Sequence, residues 1–207
     1  MKFYSIKNQL SQLAIFSLQD IYLVDPNFRQ ATLYDWEKTG KVTKLRNNCY
    51  IFDDFKPQNL DFYLLSNHIY VPSYVSMELA LNHYGIIPEG VTVITAISTN
   101  KTQSFTTPVA TFQYQSIHPE LFFGYELIKH KDHRVQIASL EKVILDYLYL
   151  HPEISSITDL KALRWNKEEL NENLNHKKLD KYLSIFDNQS LNERVSILND
   201  YLKEKDA

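Results

Sequence analysis

The sequence predicts an α+β fold, and three observations carry that expectation. Helical spacing and capping signals dominate the first forty residues, β-favouring segments crowd the middle from Val91 to Ala138, and capped helical segments return from Ser139 onward. The chain has 207 residues, 44% hydrophobic and 23% charged, close to the globular average, so disordered, collagenous and disulfide-rich classes are excluded.

Phe3, Ile6, Leu10 and Leu13 recur at helical spacing and predict an amphipathic first helix. Ser17-Leu18-Gln19-Asp20 has the form of a capping box, which starts a second helix over about Leu18 to Val24. Asp25-Pro26-Asn27 stops it, because proline lacks a backbone donor and restricts its predecessor. Asn27 is then the expected N-cap of a third helix that ends at Thr39-Gly40. Lys41 to Arg46 and Cys49 to Phe52 read as short strands joined by Asn47-Asn48, since asparagine tolerates positive φ better than other non-glycine residues. Three helices with a tight turn before the third, then a basic-edged hairpin, is the order of a winged helix-turn-helix, assigned to residues 1–55.

The third helix divides into two faces. Leu33 and Trp36 face the core, with the Arg29 stem laid along the same side, while Asn27, Gln30, Tyr34 and Lys38 follow one another on a separate, polar face. Together with Arg29 and with Lys44, Arg46, Asn47 and Asn48 of the hairpin, these are the candidate contacts to double-stranded DNA. Charge points the same way. Residues 1–55 carry seven basic against six acidic side chains, a balance of +1, while the remainder holds fifteen against nineteen, or −4, and the segment 27–50 alone is +3.

The polar, proline-containing run Asp53 to Asn59 predicts a boundary, with a second domain over 58–207. Leu60, Phe62, Tyr63, Leu64 and Leu65 suggest a short buried helix, and Ser76 a cap for a helix through Met77, Leu81 and Tyr84 that Gly85 closes. Val91 to Ser98 is strongly β-favouring, Thr99-Asn100-Lys101 is a turn, and Val109 to Ile117 alternates, with Phe112 and Tyr114 on one side and Thr111, Gln113 and Gln115 on the other. Further strands are expected near Phe122 to Ile128 and Arg134 to Ala138, giving an antiparallel or mixed sheet over about 91–138. Ser139 caps an apolar helix from Leu140 to Leu150, and the tail over about 139–207 is helical in pieces, with Ser190-Leu191-Asn192-Glu193 as another capping box.

Four isolated glycines exclude phosphate-cradling glycine loops, and the single Cys49 excludes an internal disulfide or a cysteine-rich zinc site. The start, MKFYSIKNQLSQLAIF, lacks the apolar run of a signal peptide and no stretch has the apolar length of a membrane span, so a cytoplasmic location is expected. Glu141, Lys142 and Asp146 are the most catalytic-looking cluster, but Glu141 and Lys142 are adjacent in a helix, about 100° apart, whereas metal-dependent nucleases hold acid and lysine on one strand face. Lys142 and Asp146, four apart, make an ordinary helical ion pair. His130-Lys131-Asp132-His133 reads as a polar hairpin loop. No catalytic residue, metal or cofactor is expected.

The second domain resembles a known family. The runs Pro72-Ser73-Tyr74-Val75-Ser76-Met77-Glu78-Leu79-Ala80-Leu81, Tyr84-Gly85-Ile86-Ile87-Pro88-Glu89, Pro119-Glu120-Leu121-Phe122-Phe123-Gly124-Tyr125 and Ile137-Ala138-Ser139-Leu140-Glu141-Lys142 with Asp146 are similar to the AbiEi antitoxins of type IV toxin-antitoxin systems, known from abortive phage infection. The likeness covers about 60–150 and departs from the family at Leu140, often proline there, and at Asn47-Asn48, where the wing turn often has glycine. It implies a non-catalytic antitoxin and autorepressor that binds its own promoter and is paired with a nucleotidyltransferase-like toxin. It also implies an antitoxin surface, placed around Tyr74, Glu78, Lys101, Glu141 and Lys142. Two other readings stand beside it: a nucleic-acid-targeted enzyme with a nuclease-like C-terminal domain, and a winged-helix module that binds protein.

Overall fold

A computed structural model describes residues 2–88 and 90–204; Glu89, part of a motif quoted above, lies outside the described residues. The chain is α+β. It begins with α1 (Lys2–Leu10), α2 (Leu18–Val24) and α3 (Gln30–Lys38), followed by the hairpin β1 (Val42–Arg46) and β2 (Cys49–Phe52). The second helix starts where its capping signal says. Ser17 Oγ accepts from the Asp20 amide while the Ser17 amide donates to Asp20 Oδ2 at 2.7 Å, so two orphan donors of the first turn are satisfied reciprocally.

The entry to α3 differs from the sequence expectation. Asp25 closes the turn, its Oδ1 accepting from the Asn27 amide at 3.1 Å and its carbonyl from the Phe28 amide at 3.0 Å, so the helix begins at Gln30 with Arg29 in the cap position and no side-chain cap. Phe28 takes the core place expected of the Arg29 stem, its ring 5.1 Å from that of Trp36, and Arg29 is exposed. Burial of an aromatic ring outweighs a cap hydrogen bond in choosing which residue turns inward. Leu13 lies past the end of α1 and is exposed.

The hairpin separates two hydrophobic cores. Val42, Tyr50 and Phe52 pack with Ile6, Phe16, Ile21, Leu33 and Trp36, whereas Leu45, Cys49 and Ile51 join the larger core behind. Alternation along a strand sends successive side chains to opposite faces, so Leu45, three residues beyond Val42, lies on the second face, and the irregularity in pairing between Lys44 and Arg46 brings Arg46 opposite Cys49 on that face as well.

That larger core is built on α4 (Leu60–Ile69), β3 (Ser73–Val75), α5 (Met77–His83), β4 (Val93–Ser98), β5 (Gln103–Thr106), β6 (Thr111–Ser116), a 3-10 turn at Pro119–Leu121, β7 (Tyr125–His130) and β8 (His133–Ala138). The sheet is mixed, in the order β5-β6-β4-β3-β8-β7, with β4–β6 and β3–β8 parallel and the other pairs antiparallel. One of its two central strands is β3, which the sequence does not announce: three buried residues between Pro72 and a helix start are too short to alternate visibly. The sheet therefore begins at Ser73 and not near Val91.

Helices α6 (Leu140–Leu150), α7 (Ile157–Ala162), α8 (Lys167–Asn173), α9 (His176–Phe186) and α10 (Gln189–Lys203) complete the chain. Ser139, Ser156, Asn166, Asn175 and Asn188 each cap one of them by accepting a backbone N–H. The cap of α10 is thus Asn188 and not Ser190, which lies inside the helix and accepts from Arg194 Nη1 at 2.7 Å. Among the described residues no helix is long and apolar enough to cross a membrane.

Candidate functional site

On α3, Leu33 and Trp36 pack inward while Gln30, Tyr34 and Lys38 are exposed, Tyr34 with half its surface in solvent, and Arg29, in the cap position before the helix, is exposed as well. Asn27 is exposed in the turn before the helix, Lys44 is half-buried in β1 and Asn47 is exposed at the hairpin tip. Among the described residues, Arg29, Lys38 and Lys44 have no side-chain hydrogen bond or ion pair, so their donors remain available to an external acceptor. Asp35, exposed, and Glu37, half-buried, on the same helix balance the charges of Arg29 and Lys38, so the positive excess of this region comes from Lys41, Lys44 and Arg46.

Two of the hairpin candidates are committed elsewhere. Asn48, at φ 58° in the turn, accepts from the Leu18 amide at 2.8 Å and donates to Gln19 Oε1 at 2.5 Å, fixing the hairpin to the start of α2. Arg46 Nη1 donates to the Ile69 carbonyl at 2.6 Å, and its guanidinium lies 4.6 Å from the Phe105 ring centre and 5.3 Å from that of Tyr70. A guanidinium held by a carbonyl and two aromatic faces is a brace between the hairpin and the sheet region, not a free phosphate ligand.

The expected antitoxin surface is overturned at three of its five positions. Tyr74, Glu141 and Lys142 are buried, and only Glu78, half-buried, and Lys101, exposed, reach the outside. Lys142 Nζ is ion-paired with Asp146 Oδ1 and donates to Tyr74 Oη at 2.9 Å. Asp146 Oδ2 accepts from Tyr74 Oη at 3.0 Å and from Ser76 Oγ at 2.9 Å. The rings of Tyr74, Phe123 and Phe186 stand 5.0 to 5.4 Å from the ammonium. Four-residue spacing puts lysine and aspartate on one face of α6, and that face turns inward because each charge finds its counter-charge and hydroxyl partners there.

Burial pushes the Lys142 ammonium below its ordinary value against the pull of Asp146, and pushes the Asp146 carboxyl above its own against Lys142, Ser76 and Tyr74. Tyr74 is raised well above its usual range by burial and then by the Asp146 charge. Glu141 takes a different partner: its Oε2 lies 2.8 Å from Lys178 Nζ and its Oε1 accepts from the Asn175 amide at 3.2 Å, so it anchors the start of α9. Burial raises the Glu141 carboxyl, but the bonds from Lys178 and Asn175 outweigh it and leave it below its ordinary value. Gly124 closes this region at φ 73°, where a Cβ would come within 3.0 Å of the Tyr182 ring and 3.1 Å of the Lys142 side chain.

The His130-Lys131-Asp132-His133 segment forms the β7–β8 turn, with Lys131 at φ 55°. His130 Nε2 and Lys131 Nζ both reach Asp61 Oδ1, at 2.7 and 2.8 Å, tying this turn to the first turn of α4. Among the described residues, no group of three or more His, Cys, Asp or Glu side chains is placed to hold a metal ion. A residue pattern missed in the sequence is the pairing of Asp61 with this turn, since partners 69 and 70 positions apart leave no local signal. No family model matches the chain, and no curated protein matches it.

Proposed function

We propose that the chain is a DNA-binding transcriptional autorepressor and non-catalytic antitoxin of a type IV toxin-antitoxin system, acting in the cytoplasm. The observation that carries the DNA-binding half is α3: three helices precede a hairpin in winged helix-turn-helix order, and α3 buries Leu33 and Trp36 while Arg29, Gln30, Tyr34 and Lys38 stand exposed. Unpaired Arg29, Lys38 and Lys44 supply the phosphate contacts, and Gln30 and Tyr34 the reach to base edges. The antitoxin half rests on the resemblance of 60–150 to AbiEi proteins, with a nucleotidyltransferase-like toxin as the functional partner.

The experiment separates the two roles in the full chain. Removing residues 1–57 would strip Leu45, Cys49 and Ile51 from the larger core, so substitution is preferable to truncation. Lys38→Ala/Lys44→Ala is expected to abolish promoter binding in fluorescence anisotropy while cells co-expressing the neighbouring toxin stay protected. A double variant that binds promoter duplex as tightly as the native chain excludes the α3 face as the footprint.

A further inference from the structure

Lys129 and Arg134 are register partners across the β7–β8 hairpin. Both are exposed, and among the described residues neither side chain makes a hydrogen bond or ion pair. Like charges directly opposite on an antiparallel pair repel, so the arrangement is unfavourable until an anion bridges it. Beside the pair lies a pocket of about 340 Å³ whose lining includes Arg134, Gln136, His68, Phe122, Tyr125 and Val71, and no acidic side chain.

The pocket has an aromatic side, made by Phe122 and Tyr125, as well as a cationic end at Arg134, with Lys129 just beyond the lining. Phe122 and Tyr125 stand 5.5 Å apart with their planes inclined at 58°, and both rest on the buried Tyr74 ring, at 5.0 and 5.4 Å, so their position is set from beneath. Val71 at the rim and Leu127, the register partner of Gln136, are two of the few large apolar side chains left exposed, at 66% and 53%. Asn67 fixes the backbone around the site by donating to the Ser73 and Gln136 carbonyls and accepting from the Gln136 amide. The Gln136 carboxamide is itself unbonded among the described residues, and His68, whose Nδ1 is held by the Leu64 carbonyl, keeps Nε2 for a ligand.

Paired cations, two aromatic rings either of which can support a planar base, and one uncommitted carboxamide match a phosphate joined to an aromatic heterocycle. We propose that this pocket binds a phosphorylated nucleoside, with the phosphate between Lys129 and Arg134 and the base against Phe122 and Tyr125. The site is separate from the α3 face, and neither depends on the other. The −4 balance of residues 56–207 conceals it, because acidic side chains elsewhere outnumber a locally basic hairpin.

Isothermal titration of the full chain at low salt tests the assignment with adenosine 5′-monophosphate, adenosine, inorganic phosphate and a 5′-phosphorylated trinucleotide. The monophosphate should bind at least about tenfold tighter than adenosine or phosphate alone, and Arg134→Ala or Lys129→Glu should each weaken it by about tenfold, with folding checked by circular dichroism. Lys38→Ala/Lys44→Ala should leave it unchanged, which keeps this site distinct from duplex binding. A trinucleotide that binds tighter than the monophosphate makes a nucleic-acid strand the source of the ligand; equal or weaker binding makes it a free nucleotide. The proposal is overturned by absence of binding at millimolar ligand, by phosphate binding as tightly as the monophosphate, or by full affinity in a folded Arg134→Ala variant.

Discussion

The helix–hairpin region and the sheet region place their charged residues in opposite ways. At the two ends of α3 the cations Arg29 and Lys38 stand exposed without partners among the described residues, whereas on α6 the cation Lys142 is fully enclosed with Asp146, Tyr74 and Ser76 around it. Both helices have one apolar side, yet only in α6 does a charge four residues from its opposite turn inward. A charge without an internal partner is available for a ligand, and a charge with a complete set of partners is part of the framework.

The sharpest way to break this contrast is to remove one member of the buried pair. Asp146→Ala leaves the Lys142 ammonium enclosed without a counter-charge and is expected to cost about 3 to 5 kcal/mol in denaturant unfolding of the full chain. Replacing both residues with apolar ones of similar volume should cost much less, since no orphaned charge remains. A single variant as stable as the native chain would mean that Lys142 can reach water. Trp36→Ala, which empties the smaller core beside Phe28 and Phe3, should cost about 3 kcal/mol and remove DNA binding through unfolding.

Local signals in the sequence carried the local structure. The Ser17/Asp20 capping box, the Ser139 cap and the Asn47-Asn48 turn each involve residues a few positions apart, and each stands where expected. What could not be read depends on distant partners: Lys142 meets Tyr74 across 68 positions, Arg46 meets Ile69 across 23, and β3 is a strand only because β4 and β8 flank it. A lysine in a helix looks solvent-facing until its enclosing partners are known. The exposed α3 face was legible for the opposite reason, since it needs no partner within the chain.

Lys44 and Arg46 test the comparison at finer scale, because they lie on one strand and differ in commitment. Lys44→Ala should lower the salt dependence of duplex binding by about one unit of log–log slope, as loss of one phosphate contact does. Arg46→Ala should leave that slope unchanged and act on stability instead. Equal slope changes for the two would return Arg46 to the DNA surface.

A smaller effect is expected of acid. Burial raises the Asp61 carboxyl, but the bonds from Lys131, His130 and the Gln58 amide outweigh it and hold it below its ordinary value. A depressed carboxyl stabilises the fold above its unfolded value and ceases to do so as pH falls through the folded one. Stability should therefore decline below about pH 4, and Asp61→Asn should be less sensitive over that range, as measured by denaturant midpoints from pH 6 to pH 3.

The smallest expected effect reads the brace directly. Cys49 is the register partner of Arg46, and burial pushes its thiol up to about 11, with the Arg46 charge pulling weakly the other way. At neutral pH almost none of it is thiolate, so a disulfide reagent should label the native chain far more slowly than the unfolded one. Arg46→Ala then has two opposed consequences. Loss of the charge raises the thiol further and slows labelling, whereas loss of the bond to Ile69 and of the contacts to Tyr70 and Phe105 lets the hairpin open and speeds it. Opening should win, because the thiol is limited by access before it is limited by ionisation. Labelling faster than the fall in the unfolding midpoint accounts for would locate the effect at the seam between hairpin and sheet, and slower labelling would show that Arg46 acts on Cys49 only through its charge.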